Sequence, residues 1–373
     1  MGIINELLSY GIDRSRIIYI PLDRRGYKNI KTPEQLENKI ESLINNEEFC
    51  YLFIDEVQNV SGFESVVQAY AEEGFSVFLT GSNSYLLSDD ISTKLTGRYL
   101  NFEIYPLDFN EFLQMKKFHN LSIDSDLNEE FDEYILNGGF PKSLEFPGLD
   151  SRQVYTRGII SESLDKDIRK KITNVVVFER VQSYILNNYS QTFSFSNLTD
   201  CLRKEGFTFK DNTVRGYIDD LKKAKIIYEC NRFDLKSKRS IKREQKYYLT
   251  DLAIYFSTNI DNVLNYSPSL ENLVYLYLVS NNYQVSIGRI GKFECDFIVR
   301  NKEREYAYIQ VTYTLQGENQ EATQKIKERE YRPFRSIKDG YPRYIISLDK
   351  YRDQQEGVHH INAIDLFMGK EKI

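Results

Sequence analysis

Three short apolar runs organise the first third of the chain: RIIYIPLD at 16–23, CYLFI at 50–54 and GFSVFL at 74–79. Each is too short for an amphipathic helix and too continuously apolar for a strand with one wet face. Each therefore suits a strand buried on both faces. Between them lie stretches with helical spacing. Residues 32–46, TPEQLENKIESLINN, open with Thr32 as N-cap and Pro33 in the first turn, and 63–73 has the same character. Strands alternating with helices predict a parallel α/β sheet, and LNFEI at 100–104 reads as a further strand of it.

Beyond residue 108 the pattern changes twice. Residues 108–172 read as mostly helical, broken at Gly138-Gly139 and Pro147-Gly148. Helices at 178–188, 196–205 and 211–223 then precede a strand pair, IIYEC and QKYYLTD, joined by the basic stretch 232–246. Three helices and a β-hairpin are the layout of a winged helix. The last third opens with a helix at 269–280. Strand-like runs follow at 284–290, 293–299 and 306–314, then a helix at 320–329 and a strand at 343–347. A chain of 373 residues, 41% hydrophobic and 28% charged, has the size of two or three domains and the balance of a soluble globular protein.

Several function classes are excluded early. No apolar run approaches the roughly 20 residues of a membrane helix, and the N-terminus lacks a signal-peptide pattern, so a cytoplasmic protein with no membrane partner is expected. Four cysteines with no CxxC pair and three histidines argue against a disulfide scaffold, a zinc finger or a histidine-dependent hydrolase. His359 and His360 are adjacent and read as surface residues. The net charge of −6 opposes nonspecific nucleic-acid binding by the whole chain. Yet residues 203–246 hold 14 Lys/Arg against 7 Asp/Glu, which is either a phosphate-binding footprint or a solvated mixed-charge surface.

The most specific chemistry lies in YLFIDE, 51–56. An apolar strand ending in Asp-Glu is the Walker B pattern: Asp55 would hold Mg²⁺ through its water shell and Glu56 would orient the attacking water. An acid that merely caps a loop is the plainer alternative. FLTGSNSYLL then ends a second strand at Gly81-Ser82-Asn83, where Asn83 suits a sensor of the γ-phosphate or, more simply, a turn. KLTGRYLNFEI offers Arg98 as an arginine finger reaching a neighbouring subunit's nucleotide.

FIDEVQNVSGFESVV, LTGSNSYLL and LTGRYLNFEIYPLDFNEFL, with QVTYTL and YPRYIISLD near the end, resemble the prokaryotic AAA+-type P-loop ATPases that carry a C-terminal domain of unknown function. The resemblance implies an α/β fold of four parts. These are an AAA+-like core at 1–106, a helical lid at 107–174, a winged helix at 175–260 and a restriction-endonuclease-like α/β domain at 261–373. It also implies ATP and Mg²⁺ as cofactors, and a homo-oligomer if Arg98 acts in trans. Hydrolysis would then move the lid and winged helix relative to the core. A catalytically inactive DNA- or protein-binding remnant of that family is the alternative.

Such ATPases carry a Gly-x-x-x-x-Gly-Lys-Ser/Thr loop whose amides and lysine cradle the phosphates. The sequence contains none, because Gly291-Lys292 and Gly369-Lys370 are followed by Phe293 and Glu371. The opening MGIINELLSYG resembles the back half of the helix that follows the loop. The core is thus expected to be truncated, through a misassigned start or a shortened gene, and to bind ATP weakly or not at all.

In the winged-helix reading, residues 211–225 form the recognition helix, with Asn212, Thr213, Arg215 and Tyr217 near its start. The wing would carry Arg232, Lys236, Lys238, Arg239, Lys242, Arg243 and Lys246 toward DNA phosphates. A winged helix used only for protein contacts is the alternative. In the last third, Glu271, then Asp296 in ECDFIV, then Gln310-Val311-Thr312 follow the order of a PD-(D/E)xK nuclease core. Gln310 stands where its second strand acid would be and Thr312 where its lysine would be. The expectation is a degenerate nuclease fold serving structure or binding.

Overall fold

Buried apolar runs become parallel strands when helices cover both faces of the sheet they form. In the computed structural model this happens within the first of two compact units, Met1–Phe102 and Glu103–Ile373. The structure describes residues 2–44, 49–81, 99–167, 172–234, 239–259, 266–290, 293–352 and 354–373.

In the first unit β1 (Ile17–Pro21), β2 (Tyr51–Asp55) and β3 (Ser76–Leu79) pair in parallel in the order β1-β2-β3. The register sets Ile20 beside Ile54 and Pro21 beside Asp55. Helix α1 (Gly2–Ser9) sends Ile4 onto Ile17 and Phe53. On the other face α2 (Pro33–Glu41) and α3 (Phe63–Glu72) pack Leu36, Ile40, Phe63 and Val66 against Ile20, Leu52 and Ile54. Thr32 caps α2 in a reciprocal box with Gln35, as its spacing predicts. The strand expected at 100–104 does not form. Those residues join no ladder among the described residues, and Leu100 and Ile104 are 84% and 88% exposed. Apolar composition makes a strand only where a partner supplies its hydrogen bonds.

The second unit begins with α4 (Phe109–Phe118), α5 (Leu127–Asn137) and α6 (Gly148–Asp167). Helices α7 (Val175–Asn187), α8 (Phe195–Lys204) and α9 (Asp211–Lys223) lead into the hairpin β4 (Ile227–Asp234) and β5 (Arg239–Leu249). After α10 (Ala253–Thr258) and α11 (Tyr266–Ser280) come β6 (Gln284–Ile290), β7 (Phe293–Arg300) and β8 (Tyr306–Val311). Then follow α12 (Gln320–Tyr331), β9 (Arg343–Ser347), β10 (His359–Asn362) and α13 (Ala363–Phe367).

The hairpin does not stand free as a wing. It is the edge of a seven-stranded mixed sheet ordered β10-β9-β8-β7-β6-β4-β5, because β4 also pairs in parallel with β6 through Arg232–Ile287 and Asp234–Arg289. One core runs from Phe109 through Val181, Leu221, Tyr248 and Phe297 to Phe367. A second, with Cys295, Tyr308, Tyr331 and Ile345, fills the α12 side. Strand β8 stops at Val311, short of the predicted 314, and β10 and α13 were not apparent in the sequence. His360 on β10 is buried and bonded through Nε2 to the Ser347 hydroxyl at 2.8 Å, while exposed His359 points the other way. The surface reading thus holds for only one of the pair, since neighbours on a strand face opposite sides.

Candidate nucleotide half-site and carboxylate cluster

In parallel α/β sheets the carboxyl ends of the strands are where ligands bind, because the helices that follow leave a crevice there. Asp55 ends β2 at that edge and Glu56 follows it. The Tyr19 hydroxyl on β1 donates to Asp55 Oδ2 at 3.0 Å, and the Thr80 hydroxyl, just past β3, donates to Oδ1. Burial, then that bond to Asp55, raises the Tyr19 phenol above its ordinary pKa. Thr80 Oγ1 also accepts from the Glu56 amide at 3.3 Å, while its backbone joins Ile54 and Val57. Thus three strands hold the acid pair through one threonine and one tyrosine. Glu56 takes a left-handed backbone conformation, φ 56° and ψ 46°, and its Oε2 accepts from Gln58 Nε2.

The Asp55 carboxylate has about four acceptor positions and spends two on Tyr19 and Thr80. It therefore keeps the capacity to bind the water shell of Mg²⁺. Asn83 and Arg98 lie outside the described residues. Sequence reasoning missed Tyr19 and Thr80. Thr80 carried a signal, a hydroxyl directly after an apolar strand, whereas Tyr19 shows none within IIYIP.

A second cluster lies in the C-terminal sheet. The Lys246 ammonium on β5 is 2.9 Å from Glu271 on α11, 2.7 Å from Glu294 and 3.8 Å from Asp296, both on β7. Lys246 is 4% exposed and Asp296 8%. Lys246 therefore leaves the set of wing cations available to phosphate. Burial alone would lower its pKa, but the charges of Glu271, Asp296 and Glu294 hold it above the ordinary lysine value. Burial, then the Glu271 charge, pushes the Asp296 carboxyl well above the usual range against Lys246 and the Val311 amide. One ammonium cannot neutralise three carboxylates.

The β7–β8 ladder ends at Phe297 and Ile309, so Asp296 and Gln310 sit where the strands part. Gln310 Oε1 accepts from the Asp296 amide at 3.4 Å, and the Val311 amide donates to Asp296 Oδ2 at 2.7 Å. Thr312 is buried and bonds to the Thr314 carbonyl, apart from the cluster. The Tyr248 hydroxyl donates to Glu271 at 2.7 Å. Lys246 was missed as a cluster member because nothing in one strand's pattern says which side chain of a distant helix it meets.

On α9, Arg215 is exposed and its guanidinium lies 3.8 Å from the centre of the Phe195 ring. Asn212 is exposed as well, but Tyr217 is buried and accepts from the Asn174 amide at 3.0 Å, so it does not face a ligand. Arg232 is half-buried on β4, between β5 and β6. Lys236 and Lys238 lie outside the described residues. Arg239, Lys242 and Arg243 fall on β5, and their side chains likewise lie outside what the structure describes.

A cavity of about 330 Å³ in the second unit is lined by Glu103, Asp108, Glu111 and Asp251 among aromatic rings. Asp251 accepts from the Gly139 amide at 2.7 Å and the Ala253 amide at 2.8 Å. Burial pushes its carboxyl up to about 7 despite those two donors. A side chain at Gly138 would place a carbon 1.7 Å from Asp251 Oδ1, which explains the glycine there.

No described helix is long and apolar enough to cross a membrane. Residues 2–113 match an AAA domain family, and 128–263 match a domain family of unknown function, DUF8612. An uncharacterized protein of Haemophilus influenzae is 30% identical over 366 residues, covering 96% of this chain and 88% of the relative. The uncharacterized protein MJ1544 of Methanocaldococcus jannaschii is 31% identical over 339 residues, covering 86% and 73%. Among solved structures, a Walker-type ATPase of Pyrococcus abyssi aligns with TM-score 0.45 and 15% identity over 68% of this chain and 87% of that one. The assembly of Thermococcus gammatolerans McrB AAA+ hexamers with bound McrC aligns with TM-score 0.22 and 12% identity, covering 79% of each chain. The identity to the bacterial relative holds along nearly the whole length, so the chain belongs to that protein's family, with a domain of the AAA type at residues 2–113.

Proposed function

We propose that the chain is an AAA-type ATPase-family protein in which Asp55, Glu56 and Thr80 form the hydrolytic half of a nucleotide site. The observation that carries this is the acid pair at the carboxyl edge of a parallel sheet, tied to the next strand through Thr80. Asp55 would hold Mg²⁺ with ATP, Glu56 would orient the attacking water, and Asn83 and Arg98 would complete the site as sensor and trans finger in a homo-oligomer. Bound Mg²⁺ supplies charge stabilisation for the transferring phosphoryl group. Tyr19 and Thr80 would aim the Asp55 carboxylate by donating to it. The 373 residues include no phosphate-cradling glycine loop, so weak affinity for Mg-ATP is expected. Calorimetric titration tests this: millimolar or weaker binding that Asp55→Asn removes fits the half-site, and submicromolar binding contradicts it. Any ATP turnover should vanish in Glu56→Gln.

We further propose that α7–α9 and the β4–β5 hairpin act as a winged helix that contacts DNA, and that nucleotide state acts on it. Arg215, exposed near the start of α9, supports this, as does the basic sequence of the hairpin with Arg232, Lys236, Lys238, Arg239, Lys242 and Arg243.

A further inference from the structure

A carboxylate inside a protein is stable where a cation or a full set of donors offsets its charge. The cavity of about 330 Å³ in the second unit departs from that rule. Its most deeply buried acid is Asp251, 3% exposed, whose two hydrogen bonds both come from neutral backbone amides, those of Gly139 and Ala253. About two of its four acceptor positions are unspent. Asp108 and Glu111 line the same cavity from the exposed start of α4, where each spends one carboxylate oxygen on the other's amide. Glu103, the fourth acid, is offset by Lys225 at 2.7 Å. Among the described residues no lysine, arginine or histidine lines the cavity, and none pairs with Asp108, Glu111 or Asp251.

The lining selects the kind of cation. Among the described residues no three acids, histidines or cysteines converge to hold a metal ion. The negative charge is instead spread, from exposed Asp108 and Glu111 to buried Asp251. Tyr105, Tyr134, Tyr277 and Phe367 line the cavity with Leu252 and Leu276. Aromatic faces attract ammonium groups, and apolar side chains accept methylenes. The volume lies at the low end of the roughly 300–1,000 Å³ of small-molecule sites, which suits a slender ligand. One wall is fixed by the backbone itself. The Tyr134 hydroxyl donates to the Leu107 carbonyl at 2.8 Å, and a side chain at Gly139 would place a carbon 2.2 Å from that same oxygen. The chain closes there only with glycine, so the wall stands before any ligand arrives.

We propose that this cavity binds a small aliphatic polyamine, a methylene chain carrying two or three ammonium groups. One ammonium sits on Asp251 and another reaches Asp108 and Glu111, while the methylenes lie against Leu252, Leu276 and the rings. No covalent bond is made or broken. The lining residues come from α4, α5, the turn between β5 and α10, α11 and α13. Binding therefore ties the helical stretch to the C-terminal part of the same unit and stabilises the folded chain.

The test titrates spermidine into the full chain by calorimetry, without nucleotide or Mg²⁺, so its failure leaves the AAA reading untouched. It is run at pH 8, above the Asp251 pKa of about 7, and at physiological salt, which screens loose attraction to a chain of net charge −6. One spermidine per chain is expected to bind below millimolar concentration and to raise the melting temperature. Asp251→Asn should weaken binding at least about tenfold. Glu111→Gln, which keeps the helix cap, should weaken it about two- to fivefold. Octanediol, which has the stem without the charges, should not bind. No binding at millimolar spermidine, affinity unchanged by both substitutions, or equal binding of the diol overturns the proposal. So does an acetylated lysine amide that binds as tightly as spermidine, since the cavity would then belong to a protein side chain. The first of these outcomes is read on the natural chain, so a misfolded variant cannot hide it.

Discussion

Glu56 takes a backbone conformation that costs an L side chain about 1–2 kcal/mol. Its surroundings hold it there, since the Glu56 and Val57 amides are both tied to Thr80. Asparagine visits that conformation more readily. Glu56→Asn should therefore melt no lower than the natural chain in a calorimeter, while any ATP turnover disappears. Lys246 is the opposite case, a residue whose removal the fold feels. Lys246→Met leaves three carboxylates around an apolar side chain and should cost about 3–5 kcal/mol in urea unfolding at neutral pH. Asp251 carries a pH signature. Its folded pKa, about 7, lies above its unfolded value, so the protonated fold is favoured at low pH. Its contribution is full below about pH 4 and is lost as pH rises through 7, a difference of at most about 4 kcal/mol. Urea unfolding at pH 5 and pH 8 should show more than half of that loss in the natural chain and little of it in Asp251→Asn.

Among the elements, the hairpin β4–β5 changes meaning most between sequence and structure. Its alternating residues and basic loop read as a wing, but β4 hydrogen-bonds to β6, and Lys246 faces inward. A hairpin whose β4 strand pairs with β6 cannot swing independently of the sheet it belongs to. In the proposed DNA-binding reading, contacts would fall to α9 and the basic sequence of the hairpin. The expected outcome is duplex affinity that drops steeply with salt, with the log–log slope reduced by about one in Arg215→Ala. An affinity indifferent to salt between low and moderate concentration would rule out phosphate contacts. The helices themselves were largely legible. Thr32 with Gln35 and Asp108 with Glu111 mark helix starts by side-chain chemistry that acts within four residues.

For the whole molecule, each compact unit builds its core from its own residues. Among the described residues, the buried clusters of the first contain nothing beyond Phe78 or Leu79, and those of the second nothing before Phe109. Residues 103–373, expressed alone, should therefore unfold in a cooperative urea transition followed by circular dichroism. Within that unit the helical stretch, the three helices with the hairpin and the C-terminal strands share one apolar cluster. Sequence punctuation at 175 and 261 marks changes of pattern, and the continuous core passes through both.

What the amino-acid sequence determined by itself is whatever acts over a few residues. Continuous apolar runs make β1, β2 and β3 buried strands, and an Asp-Glu pair after one of them places the acids at a sheet edge. Caps and turns set where helices begin. Tertiary structure alone decided the rest, because the partners lie far apart in the chain. Leu100–Ile104 has strand composition but no ladder. Tyr19 and Thr80 meet Asp55 only through strand order. Lys246, Glu271 and Asp296 come together only because β5, α11 and β7 pack around one point, where burial turns ordinary surface charges into a coupled site.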